Sequence, residues 1–88
     1  MMRLTETDPG KGPITLMVAG RITSESSPLL ASECEALLRR GRQVRLDCHL
    51  VTYVDARGAA ALRRLTALQI EIARCPPLIR EFLDAGTT

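Results

Sequence analysis

Two carboxylates eight residues apart, Asp47 and Asp55, and the adjacent pair Cys48 and His49 are the side chains in this sequence best suited to chemistry. Paired carboxylates serve acid–base catalysis when their surroundings pull their pKa values apart. A cysteine beside a histidine suits a nucleophile or a metal ligand. Both readings lack parts, because His49 is the single histidine and the other cysteines, Cys34 and Cys75, lie far off in the chain. Gly10-Lys11-Gly12 has the look of a phosphate loop but lacks the full spacing and the Ser or Thr after Lys that a Walker loop needs. The plainer roles are a strand end for Asp47, a helix cap for Asp55 and buried thiols for three cysteines that form neither a disulfide framework nor a paired metal motif.

The elements that position these residues meet at one stretch, Tyr53-Val54-Asp55-Ala56-Arg57-Gly58-Ala59-Ala60-Ala61-Leu62. An apolar run stops at Asp55 and a helix-forming run begins, which predicts a strand-to-helix corner with Asp55 as N-cap. Corners at the carboxyl ends of strands are where open α/β sheets dock ligands and partners.

Upstream, Met2 to Glu6 predicts a short strand, Asp8 to Pro13 a turn, and Ile14 to Ile22 a strand with Ile14, Leu16, Val18 and Ile22 on one face. Ser27 as N-cap with Pro28 behind it predicts a helix to Arg40, closed by Gly41, with Leu30, Cys34, Leu37 and Leu38 as its apolar stripe. Val44 to Cys48 alternates as a strand, and the short links around the helix imply parallel pairing.

After Asp55 a helix is expected to about Leu68, with Ala61, Leu62, Leu65 and Leu68 facing the sheet. Gly58 near its start signals a close backbone approach. Gln69 to Ala73 predicts a final strand. Leu78 to Ala85 predicts a final helix that buries Leu78, Ile79, Phe82 and Leu83 and ends at Gly86. The fold class is therefore α/β: a small mixed sheet of about four strands with about three helices mainly on one face, in the order β-β-α-β-α-β-α.

Gln43-Val44-Arg45-Leu46-Asp47, followed by Val51-Thr52-Tyr53-Val54-Asp55-Ala56-Arg57-Gly58, resembles the STAS domains of bacterial anti-sigma-factor antagonists. In that family a strand ends in Asp, and eight residues later an Asp-Ser-Ser-Gly-type motif opens a helix. The strand ending in Gly20-Arg21-Ile22, the Leu-rich helix and the Cys75-Pro76-Pro77-Leu78-Ile79 run also fit, so the resemblance covers most of residues 1–88. It implies a non-catalytic, cytoplasmic regulatory module without a cofactor. Regulated members are phosphorylated on the hydroxyl residue directly after the motif Asp, by a partner that is both kinase and anti-sigma factor. Here that residue is Ala56, so no phosphorylation is expected at Ala56. Thr23 stands where many members carry an acidic residue. Thr52, Ser24, Ser26 and Ser27 carry hydroxyls outside the motif position. The sequence also stops sooner after its third helix than many members do, which would be expected to leave a sheet edge or face less covered.

The resemblance implies a partner-binding surface of Asp55, Ala56, Arg57, Gly58 and Thr23. Two partners compete: an anti-sigma factor or kinase-like regulator, and an ABC-transporter ATPase, since small STAS proteins also serve as accessory subunits of lipid-transport complexes. From the residues themselves, the helix start at Ala56 to Gly58 offers amides to an anion, which makes a small-ligand or nucleotide-binding domain a further alternative, opposed by the charge of Asp55.

Composition narrows the field. A net charge of +2 with scattered basic residues, one Tyr, one Phe and no Trp, gives neither the electrostatic footprint nor the stacking platform of a nucleic-acid binder. The longest apolar runs are too short to span a bilayer. An acidic Glu6 stands where a signal peptide would be apolar, so a cytoplasmic location is expected.

Overall fold

Strand alternation sets the core. In the computed structural model, which describes residues 1–85, Ile14, Leu16, Val18 and Ile22 are all buried along β2 (Ile14–Ile22). They lie beside β1 (Met2–Thr7), which pairs antiparallel with β2, and β3 (Val44–Val54), which pairs parallel with it. A short β4 (Glu71–Ala73) pairs parallel with β3, giving the sheet order β1-β2-β3-β4. Three helices follow the strands: α1 (Ser27–Arg39), α2 (Ala56–Ala67) and α3 (Pro77–Ala85). The order is the expected β-β-α-β-α-β-α. Leu30, Cys34 and Leu37 of α1 and Ala59, Leu62 and Leu65 of α2 join Leu16, Val18 and Leu46 of the sheet in one core.

β3 departs from simple alternation. Met17 pairs with Asp47 but Ala19 with Leu50, and Gly20 pairs with Val51 but Arg21 with Tyr53. At each step β3 holds one residue more than β2. The buried apolar positions from Leu46 onward therefore run Leu46, Cys48, Val51, Val54, a spacing of two, three and three that no period-two pattern describes. Residues 49–54, expected only as a lead into the corner, continue the strand, and Asp47 lies inside it rather than at its end.

Helix boundaries shift by a residue or so. The α1 N-cap is Ser26, not Ser27, because the amides of Ser26 and Ser27 both donate to the Thr23 carbonyl (3.1 and 2.7 Å) and start the helical turn early. Gly41, with φ of 78°, follows the α1 C-cap and donates to the Leu38 carbonyl. Of the residues expected to face the sheet from α2, Leu62 and Leu65 are buried, Ala61 is only partly buried, and Leu68 is exposed at the C-cap; Ala59 is buried in their place. The last strand starts at Glu71 because Gln69 turns into the left-handed region with φ of 71°. On α3, Leu83 is buried and Ile79 partly so, whereas Leu78 is 80% exposed and Phe82 42%. Gly86, expected to end that helix, lies outside the described residues.

Candidate functional site

Parallel pairing of β2 and β3 brings their carboxyl ends, and the loops that follow, to the same end of the sheet. Asp55 ties them together. Its Oδ1 accepts the Gly58 amide at 2.7 Å as a helix cap, and its Oδ2 accepts the Ser24 amide at 2.9 Å from the β2–α1 loop. Its own amide donates to the Ile22 carbonyl at 3.1 Å. The amides of Gly58 and Ser24 hold the carboxyl below its ordinary pKa, so Asp55 is charged at neutral pH. An anion at this helix start would have to displace that carboxylate from Gly58.

The facing loop is held by Ser26, whose hydroxyl accepts the Thr23 amide and donates to the Arg21 carbonyl, each at 2.9 Å. Between loop and corner lies an open hollow of about 580 Å³ whose walls include Arg21, Thr23, Ser24, Leu29 and Asp55. On its β3 side the Arg21 guanidinium stacks over the Tyr53 ring, 4.8 Å from the centroid. Ala56 and Arg57 are exposed at the start of α2, and Gly58 is buried. A Cβ on Gly58 would overlap the Ile22 carbonyl oxygen, so the close approach that the glycine permits is to the protein's own strand.

Asp47 belongs to a separate cluster. It is buried, and Arg74, just past β4, reaches it with Nε at 3.2 Å from Oδ1 and Nη2 against Oδ2. The His49 amide (3.2 Å) and Nδ1 (2.8 Å) also meet Oδ1, so Asp47 braces the bulge at Cys48 and His49. The Arg74 guanidinium foremost, with the His49 donors, holds the Asp47 carboxyl well below the usual range despite its burial. Burial pushes the Cys48 thiol up to about 12, which removes its nucleophilic thiolate at neutral pH. Among the described residues no group of three or more His, Cys, Asp or Glu is placed to hold a metal ion, and no helix is long and apolar enough to cross a membrane.

A sequence model of the Mlab, STAS domain family matches residues 7–86. The chain belongs to that family. Among curated proteins, none matches the sequence. Solved structures show the same fold for this STAS domain at low identity. The anti-sigma factor antagonist SpoIIAA in its unphosphorylated form aligns with a TM-score of 0.67 at 10% identity, covering 93% of this chain and 82% of that one. The Bacillus cell fate determinant SpoIIAA in the phosphorylated form aligns with a TM-score of 0.66 at 10% identity, covering 97% and 84%. An uncharacterised DUF3478-family protein from Shewanella loihica, with a SpoIIAA-like fold, aligns with a TM-score of 0.57 at 11% identity, covering 77% and 58%.

Of the residues singled out in sequence, the STAS fold gathers Asp55, Ala56, Arg57 and Thr23 at one corner and turns Gly58 inward. Asp47, Cys48 and His49 fall elsewhere. Three features, two at the corner and one in the Asp47 cluster, were not read from the sequence. Ser24 bonds Asp55 through its amide, which any residue could offer. The Arg21–Tyr53 stack depends on the slipped register of β3. Arg74 pairs with Asp47 across 27 positions.

Proposed function

We propose that this STAS domain is a non-catalytic docking module of the anti-sigma-factor-antagonist type, working in the cytoplasm and gripping a protein partner through the β3–α2 corner. The observation that carries the reading is the division of roles there. Both oxygens of Asp55, which lines the open hollow, are taken by the chain's own backbone, while Ala56 and Arg57, next in the chain, are exposed. Asp55 shapes the surface; Arg57 offers a planar, permanently charged donor suited to a partner's carboxylate. Thr23, on the facing loop, forms the other wall. With Ala56 after the motif Asp, the module has no hydroxyl at the position where regulated members are switched, so it docks without being released by phosphorylation there.

A second reading is favoured by the Mlab, STAS domain match over residues 7–86. The protein would be an accessory subunit of an ABC-type lipid transporter, seated on the ATPase subunit. Such a permanent dock has no need of a phosphoacceptor.

Affinity capture from the native cell with wild type, Arg57→Glu and Asp55→Ala tests both. Recovery of a sigma-regulating kinase supports the first partner, and recovery of an ATP-binding transporter subunit the second. Folded Arg57→Glu is expected to lose the partner. If it retained every partner, the corner would not be the docking surface.

A further inference from the structure

We infer that the open groove between α1 and α2 continues the docking surface, and that it receives an acidic helix of the protein partner whose carboxylates sit on Arg57 and Arg64. This rests on the docking-module reading and names the partner's chemistry. The argument begins with charge. α2 carries Arg57, Arg63 and Arg64 and no carboxylate. Arg63 turns towards α3 and donates to the Leu83 carbonyl at 3.4 Å. Arg57 and Arg64 are exposed and, among the described residues, form no salt bridge or side-chain hydrogen bond. Arg57 also sits in the first turn, where the helix dipole disfavours a cation. Its neighbouring charge, Asp55, has both oxygens on backbone amides and leaves the guanidinium without a hydrogen-bonded partner among the described residues.

Geometry gives the two charges one target. Seven residues apart, they lie on one face of α2, about 10 Å from each other along the axis at ~1.5 Å per residue. Both line the groove together with the short side chains of Ser27 and Ala31 of α1 and Ala60 and Ala61 of α2, and no acidic side chain lines it. The complement of two cations along a shallow groove is a rod with two anions at the same spacing. A helix with Glu or Asp at i and i+7 has that form, and the short side chains beneath let its backbone come close. A membrane surface is the poorer fit, because lipid attraction draws on clusters of several basic residues rather than two along a groove.

The test titrates isotope-labelled protein with a synthetic alanine-based helical peptide bearing two glutamates seven residues apart, with its Gln counterpart, and with phosphatidylglycerol vesicles. The Glu peptide is expected to shift the amides of Ala31, Ala60 and Ala61, and Arg64→Glu to weaken its binding about tenfold. A Lys version of the peptide should bind the Arg57→Glu, Arg64→Glu double variant better than it binds wild type. Arg64→Gln, the milder change, should fall between wild type and Arg64→Glu, and amide spectra establish that each variant is folded. Equal binding of Glu and Gln peptides, no shifts at millimolar peptide, or shifts with vesicles only would overturn the proposal. Capture of the native partner separates the two levels. If Arg57→Glu loses the partner and Arg64→Glu keeps it, the corner stands and the groove falls; if both keep it, both readings fall.

Discussion

At Gly58 two residue-scale effects oppose each other, and their sizes decide the outcome. Replacing a helical glycine by alanine ordinarily gains about 1 kcal/mol. Here the added Cβ overlaps the carbonyl of Ile22, a backbone atom that cannot swing aside, and overpacking of this kind costs roughly 1–3 kcal/mol or more. Gly58→Ala is therefore expected to lower stability in a urea titration; a rise would mean that the β2 end yields easily. Asp47 gives a second prediction, in pH. Its pKa in the fold is below the unfolded value of ~3.9, so the ionised form favours folding. That contribution is present above the unfolded pKa and is lost as pH falls through it towards the folded value. Asp55 and Asp8 shift in the same direction. Melting temperature should drop between about pH 5 and pH 2. Asp47→Asn should cost about 1–3 kcal/mol at pH 7, since it removes a charged acceptor from a buried position while Arg74 can return to water, and should flatten the acid limb.

At the scale of elements, α3 separates what sequence pattern can say from what it cannot. Leu78, Ile79, Phe82 and Leu83 have the spacing of a buried helical face, yet the helix lies at the margin of the layer, against α2, and tucks in only Leu83 and part of Ile79. Leu83→Ala should cost about 2–3 kcal/mol, and Leu78→Ala less than about 0.5 kcal/mol, in chemical denaturation. Similar losses at both would place Leu78 in the core. The other elements show the same division. β2 was legible because Ile14, Leu16 and Val18 keep strict period two. The corner was legible because an Asp before an Ala-rich run is a local signal. β3 beyond Cys48 was not, since the two extra residues exist only in relation to β2. The buried face of α2 departs from the expectation at Ala59 and Ala61, because alanine carries almost no hydrophobic signal to tell one face from the next, and at Leu68, because the helix has already ended there at its C-cap.

For the whole molecule, the topology is what turns two weak local signals into one surface. Thr23 and Asp55 lie far apart in sequence, and an antiparallel β2–β3 pair would set them at opposite ends of the sheet. The parallel pair puts them on the same rim, joined by the Ser24 to Asp55 hydrogen bond. A hydroxyl at position 56 would stand on that rim, exposed in the first turn of α2 next to an ionised carboxylate. Phosphorylating it would add about −1.5 to −2 charges beside Asp55 and Arg57, enough to repel the acidic helix proposed as partner and to compete for the Arg57 guanidinium proposed to hold it. Wild type incubated with an antagonist-type kinase and ATP should therefore gain no phosphoryl group at this position, while Ala56→Ser should gain one by mass spectrometry and then bind the captured partner more weakly. Phosphorylation of wild type at Thr23 or Ser24 would move the switch across the rim to the facing loop. An Ala56→Ser protein left unmodified by a kinase that still binds it would instead favour a permanent dock, such as the ATPase subunit of a transporter.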